Sequence, residues 1–200
     1  MPKTEDWTRD MDKLDRWSRS WWALFAANVL LFGLTVGAGW LSADLRGEQL
    51  QVRPFAEVTA DRIHSDAAYI LRANLRVAGG MLAGACTLGL FSLVGLLYNG
   101  FVLGYGTAAL ARGAGEVLPF LASYAPLEFL AFILVVTATQ HLSLGVVRCL
   151  ATGEPVRPRA GAVSLTAAGA LLVVAAVVEA SVIPAITAIV GQTSPTGGVQ

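Results

Sequence analysis

Long apolar segments separated by polar connections dominate the pattern of this chain. The first runs from Trp21 to Leu41, with Trp21 and Trp22 at one end and Trp40 at the other. A helix rises about 27 Å between Trp22 and Trp40, which is close to the hydrocarbon thickness of a bilayer. Because tryptophan favours the membrane–water interface, the segment predicts a transmembrane helix with an indole belt at each end.

Further apolar segments predict an all-α fold, a polytopic membrane bundle of about five transmembrane helices with one broken or short. Asn99 and Gly100 interrupt the second apolar run, and the pair predicts a break between two helices because Asn caps helices and Gly tolerates a positive φ. The apolar part of 101–124 is too short to cross alone, so it forms either a re-entrant half-helix or a broken crossing. The predicted spans are 21–41, 77–98, 101–124, 126–147 and 163–189.

Polar segments flank this transmembrane domain, which we place at residues 21–190. In residues 1–20, Leu14, Trp17 and Trp21 fall on one helical stripe, which predicts an amphipathic helix on the membrane surface. The connection 42–76 predicts a loop with one or two amphipathic helices, and Gly, Ser, Thr and Pro in 191–200 predict a disordered tail.

Composition supports a membrane location and excludes nucleic acid as a partner. Hydrophobic residues make up 55% of the chain and charged residues 14%, against roughly a quarter in soluble domains. The formal net charge is zero, so no field attracts nucleic acid. Five crossings place eight basic residues on the side of the N-terminus and six on the other, which predicts a cytoplasmic N-terminus. A re-entrant 101–124 would instead return the C-terminus to the cytoplasm.

Glycines in the first two spans predict surfaces for helix packing. Small residues let membrane helices approach closely, and glycine costs less there than in a soluble helix because lipid offers the backbone no competing hydrogen bonds. The residues predicted to pack in this way are Gly33, Gly37, Gly80 and Gly84.

Two acidic residues lie inside apolar segments, Glu128 near the start of one and Glu179 in the last third of another. An ionised acid at mid-membrane costs roughly 2.5–3.5 kcal/mol, so such acids face the interior and have partners. Each is therefore either protonated or a carboxylate that accepts hydrogen bonds from Asn99 and from freed backbone N–H groups. One hypothesis is a proton-titrating or substrate-binding site, and the other is interhelical hydrogen bonding that fixes packing.

Motifs for catalysis and metal binding are missing from the sequence. It has no H-E-x-x-H, no G-x-S-x-G and no Walker A motif. Cys86 and Cys149 lack the spacing of a zinc site or a disulfide framework. The sequence thus predicts no catalytic residue, no metal and no cofactor, and favours a protein that is not an enzyme.

Several motifs in fixed order resemble the stage II sporulation protein M family of integral membrane proteins. They start at Asn74, continue through Asn99, Gly100 and Gly104, and end with two glutamate motifs. The resemblance covers roughly residues 20–190 and implies about five spans. One departure is Ala125-Pro126, where family members often have His-Gly. The residues of these motifs that we assign to a binding site or polar site within the membrane are Asn74, Asn99, Gly100, Gly104, Glu128, Glu179 and Pro184.

The resemblance implies a multi-pass protein of the bacterial plasma membrane and little settled chemistry. One branch of the family acts as a scaffold for cell-wall hydrolases, and another accompanies circular bacteriocin clusters, often beside an ABC-type ATPase. Our first interpretation is a non-enzymatic membrane subunit or scaffold, with a homo-oligomer also compatible. The alternatives are maturation, export or immunity of a hydrophobic peptide, with a substrate site near Asn99, Glu128 and Glu179, and proton-coupled transport.

Overall fold

Five α-helices make up the fold in the computed structural model, which describes residues 4–47, 67–113, 115–156 and 158–192. Short 3-10 turns at Gly84–Thr87 and Gly115–Val117 precede the third and fourth helices. The helices are α1 (Thr4–Arg46), α2 (Ala67–Ala83), α3 (Leu90–Gly113), α4 (Leu118–Thr152) and α5 (Arg159–Gln192).

Four of these helices are long and apolar enough to cross a membrane, which confirms the predicted fold class. The fifth, α2, has 17 residues and rises only about 24 Å, short of the bilayer's hydrocarbon core. It is the short member of the bundle. The apolar segments are Ser18–Arg46, Leu90–Gly113, Gly115–Thr152 and Arg159–Ile186.

The helix break predicted at Asn99-Gly100 is wrong; the chain reverses at Leu88 and Gly89 instead. Both residues have positive φ, 53° and 81°, and the turn lies inside the predicted span 77–98. Asn99 does not cap a helix, because its Nδ2 donates to the Gly95 carbonyl oxygen at 2.7 Å within α3. Residues 90–113 are therefore one helix, and the first half of the predicted span 101–124 belongs to it.

The α2–α3 hairpin ends inside the bundle. Ser143 Oγ of α4 donates to the Ala85 carbonyl oxygen at 3.2 Å, and Gly89 lies against Gln140. Asn28 of α1 donates to Gln140 Oε1 at 2.9 Å, so the turn lies level with Asn28. Asn28 is ten residues, about 15 Å, beyond Ser18, where the apolar segment of α1 begins. The hairpin therefore stops well short of the start of that segment. The turn of the α2–α3 hairpin thus lies at an intermediate level of the bundle, although α3 itself is long and apolar enough to cross a membrane.

Helices α1 and α3 run parallel and pack through glycines. A β-carbon on Gly39 would overlap the Phe101 carbonyl oxygen, and one on Gly104 would overlap that of Val36. Where α1 and α3 both finish, the Arg112 guanidinium pairs with Asp44, and we call this end of the bundle the upper end. Close backbone contact between membrane helices requires small residues of this kind.

Of the four glycines predicted to pack, only Gly84 meets another residue of the described structure, Ser92 across the hairpin turn. A β-carbon added to Gly33, Gly37 or Gly80 would have no described atom of another element within 4 Å, so these three do not pack inside the bundle. Helical phase turns them outward, and a packing role for them requires a partner chain.

The polar segments that flank the predicted spans are described only in part. The N-terminal segment 1–20 is not a separate element over its described part, because α1 runs without a break from Thr4. Its position on the membrane surface stays a prediction. The amphipathic helices predicted in the connection fall on 48–66, and most of the predicted tail on 193–200; both ranges lie outside the described residues.

Candidate functional site: an intramembrane carboxyl pair

Glu128 of α4 and Glu179 of α5 come together, close enough for the two carboxyl groups to interact electrostatically. Asn74 of the short helix α2 donates its side-chain N–H to Glu128 Oε1. Tyr124 lies one helical turn before Glu128 and interacts electrostatically with both acids. Three helices therefore contribute to one polar cluster. We call Glu128 and Glu179 the carboxyl pair, and Asn74 and Tyr124 are its two neighbours.

The carboxyl pair lies near mid-depth of the bundle. Phe129, next to Glu128, packs against Phe32 of α1 with ring centroids 5.0 Å apart. Phe32 is about halfway along the first apolar segment, between the indoles of Trp22 and Trp40. The acids are thus placed where an isolated charge is most costly.

Prolines free backbone carbonyl groups close to the pair. Pro126 and Pro184 both lie inside helices, where proline removes the hydrogen bond to the carbonyl four residues earlier. The freed carbonyls belong to Ala122 and Ala180. Because α4 and α5 are antiparallel, both prolines lie towards the upper end relative to the acids. The cluster therefore has hydrogen-bond acceptors beside it as well as acids.

No Lys or Arg forms an ion pair with either acid among the described residues. Residues 160–200 contain no Lys or Arg, and Arg112 is the only one between residues 77 and 147. Arg72 and Arg76 lie two residues either side of Asn74, and both are exposed. An ionised carboxylate only accepts hydrogen bonds, so these two carboxyl groups can hydrogen-bond to each other only when one of them is protonated. The arrangement can hold a proton, and exchange of that proton is the chemistry it offers.

The structure brings together only part of the predicted polar set. Asn74 and Glu128 touch, Glu179 joins them, and Pro184 lies five residues beyond Glu179. Gly100 and Gly104 pack against α1 instead, where a β-carbon would overlap Thr35 and Val36 respectively. Together with Asn99, which bonds within α3, they are not part of the carboxyl pair. Any binding role of the cluster stays a prediction.

Sequence reasoning missed Tyr124 and a second polar network. Tyr124 is four residues before Glu128, a spacing that places both on one helical face. In the second network, buried Asn28 donates to Thr137 Oγ1 at 3.0 Å and to Gln140 Oε1. A lone Asn inside the first apolar segment was the signal for it, because a buried amide needs partners.

Helical topology, apolar spans and a mid-depth carboxyl pair define the class: a polytopic α-helical membrane protein with a protonatable interior site. The family model described as stage II sporulation protein M matches residues 28–184. That range covers most of the chain and includes Asn74, Glu128 and Glu179. The chain belongs to the stage II sporulation protein M family, as its motifs predicted. Comparison with curated proteins and with solved structures gives no match.

Proposed function

We propose that the chain is a membrane subunit of a larger protein assembly and docks its partner on the outer face of α1. The proposal rests on Gly33 and Gly37, which are four residues apart on α1. A β-carbon added to either glycine would have no described atom of another element within 4 Å. Glycines with this spacing let two membrane helices approach closely. The fold packs through other glycines and leaves this pair for a partner.

Large side chains flank the glycine pair on the same face. Leu30, Leu34 and Leu41 are 63%, 60% and 57% exposed, and their spacing places them beside Gly33 and Gly37. A partner helix seated between them would bury these leucines as well as contact the glycines. Lipid satisfies such leucines equally well, so the close backbone approach at the glycines is the main source of affinity.

Family membership supports a partner in a sporulation assembly, and the resemblance suggests cell-wall hydrolases or an ABC-type ATPase. Docking of this kind needs no reaction within the chain itself. The carboxyl pair then serves as an interhelical hydrogen-bond cluster that fixes the positions of α2, α4 and α5.

The test is purification of the tagged chain in mild detergent, with quantification of co-purified protein by mass spectrometry. Gly37→Leu is expected to lose about tenfold or more of a stoichiometric partner, equivalent to about 1.4 kcal/mol of binding. Glu128→Gln should keep it. Gly106→Leu is the matched control, because Gly106 also has open space but no glycine four residues away. Retention by Gly37→Leu with loss in Glu128→Gln would contradict the proposal.

Proton-coupled transport is the second candidate, and the carboxyl pair is the observation that favours it. The pair lies near mid-depth, can hold a proton, and has Tyr124 within electrostatic range of both acids. Such intramembrane acids commonly mark proton or substrate pathways. A hydrophobic peptide bound near the pair would use the same groups.

This candidate predicts proton flux in vesicles that contain the purified chain and a pH-sensitive dye. Under an imposed membrane potential, the wild-type chain should acidify or alkalinise the lumen faster than empty vesicles. Glu179→Gln should abolish the difference, whereas Glu116→Gln, at an exposed acid between α3 and α4, should retain it. Wild-type flux equal to that of empty vesicles would exclude a proton pathway in the chain alone.

A further inference from the structure

Below the turn of the α2–α3 hairpin, α1, α4 and the start of α5 line an open cavity of about 890 Å³. The hairpin turn stops level with Gln140, whereas the apolar segment of α1, which starts at Ser18, and helix α4 continue about 15–18 Å further. No part of α2 or α3 lines this space. Trp21 and Trp22 form one wall, and His141, Arg159 and Val163 contribute to the others.

Most of the cavity wall is apolar, and its one charged side chain is Arg159 at the start of α5. Val156, Pro158 and Val163 join the two indoles in the apolar wall. Arg159 begins α5, and the first N–H groups of a helix lack intrahelical acceptors. Positive charge therefore comes from both the guanidinium and the helix terminus.

Two observations place the cavity at the membrane–water interface and open it to lipid. Trp21 and Trp22 end the first apolar segment, where an indole belt is expected. Trp22 and Val163 line the cavity but are 61% and 63% exposed, so the cavity reaches the outer surface of the bundle. A molecule can enter from the bilayer without crossing water.

We propose that this cavity binds one anionic phospholipid, with an acyl chain against the tryptophans and the phosphate at Arg159. The volume is within the range of small-molecule sites, roughly 300–1,000 Å³. Basic pockets between membrane helices bind anionic headgroups. Arg159 makes no ion pair with any residue in the described ranges, so its charge is available to a headgroup.

A lipid fits these walls better than a peptide does. A peptide would bring unpaired backbone N–H and C=O groups against Val156, Val163 and the indole faces, and each such group costs free energy when it is buried without a partner. An acyl chain has no such groups. At the start of α5 the phosphate oxygens would accept hydrogen bonds from Arg159. The Trp21 Nε1–H, buried without an acceptor among the described residues, is a further donor in the wall.

The test uses native mass spectrometry of the full chain in mild detergent with an equimolar mixture of phosphatidylglycerol and phosphatidylcholine of identical acyl chains. The wild-type chain should retain one phosphatidylglycerol in preference to phosphatidylcholine. Arg159→Gln should reduce that preference about five-fold, the contribution of one basic residue to binding of anionic lipid. Arg148→Gln, an exposed arginine near the same end, should leave it unchanged.

A second variant fills the cavity. Ala162→Phe places a ring in the space, since Ala162 is exposed and lines it, and should reduce the adducts of both lipids. Ala167→Phe, at an exposed alanine of α5 that does not line the cavity, is the matched control. Equal wild-type retention of the two lipids would overturn the proposal, and so would adducts unchanged in both Arg159→Gln and Ala162→Phe. Retention of an added apolar peptide over excess phosphatidylglycerol would assign the cavity to peptides instead. If Ala162→Phe fails to fold, Arg159→Gln decides the question alone.

Discussion

Gly104→Leu is expected to abolish the folded chain in mild detergent. A β-carbon at this position would overlap the Val36 carbonyl oxygen, which is backbone and cannot turn aside as a flexible side chain does. Overpacking usually destabilises a protein by about 1–3 kcal/mol. Because the overlapping atom here belongs to the backbone, we expect a loss of stability at or above the upper figure. The parallel contact between α1 and α3 would then separate, which thermal melting followed by circular dichroism would detect.

Gly106→Leu is the control for that change. It lies two residues further along α3, is altered in the same way, and has no described atom near its open side. We expect its melting behaviour to stay within about 1 kcal/mol of the wild-type chain, because Gly and Leu differ by no more than that in helix propensity. Similar melting of Gly104→Leu and Gly106→Leu would show that the α1–α3 contact is not as close as described.

Glu128→Leu is expected to destabilise the chain by about 3 kcal/mol, because it leaves two polar groups without their partner. The Asn74 side-chain amide and the Glu179 carboxyl group both meet Glu128 near mid-depth, where neither water nor lipid replaces the lost bonds. Glu128→Gln should cost less than about 1 kcal/mol, because its amide donates to Glu179 and its carbonyl accepts from Asn74.

Chemical unfolding in mixed detergent micelles measures both variants on one scale. Glu116→Leu removes an exposed acid at the connection between α3 and α4 and controls for loss of charge alone; it should be close to neutral. Equal stability of Glu128→Leu and Glu128→Gln would mean that the hydrogen bonds of the carboxyl pair contribute nothing to the fold.

Properties that depend on whole segments were predictable from the sequence. The segments 21–41, 126–147 and 163–189 each fall within one long helix, and they follow from apolar length and, in the first, from tryptophans at both ends. Glu128 and Glu179 stand out because acids inside apolar segments need partners. The structure places Glu128 and Glu179 together on the adjacent helices α4 and α5, and Asn74 joins them. Three of the predicted residues therefore lie in one place.

The hairpin turn was not predictable in the same way. Leu88 and Gly89 lie within a continuous apolar run that contains several glycines, and nothing local distinguishes Gly89 from the others. What decides the reversal is tertiary: Ser92 lies against Gly84, and Gln140 lies against Gly89. Asn99 looked like a helix cap, yet an amide can also bond to the carbonyl four residues earlier, as it does here.

Glycine spacing alone does not identify which glycines pack within the chain. Gly33 and Gly37 match the spacing that favours close helix contact, but Gly39 is the α1 glycine that meets α3. Spacing identifies a face that can pack and cannot say whether the partner belongs to the same chain. This is why the glycine pair Gly33 and Gly37, which meets no other described residue, carries the proposal of a docking face.

Site-specific photo-crosslinking in cells tests that docking face most directly. A photoreactive amino acid at position 37 should crosslink to one defined partner chain, whereas the same amino acid at position 106 should give lipid adducts only. A copy of this chain as the crosslinked product would make the partner a homo-oligomer. Lipid adducts alone at both positions would contradict the proposal that α1 docks a protein, and would turn attention to the carboxyl pair as the working part of the molecule.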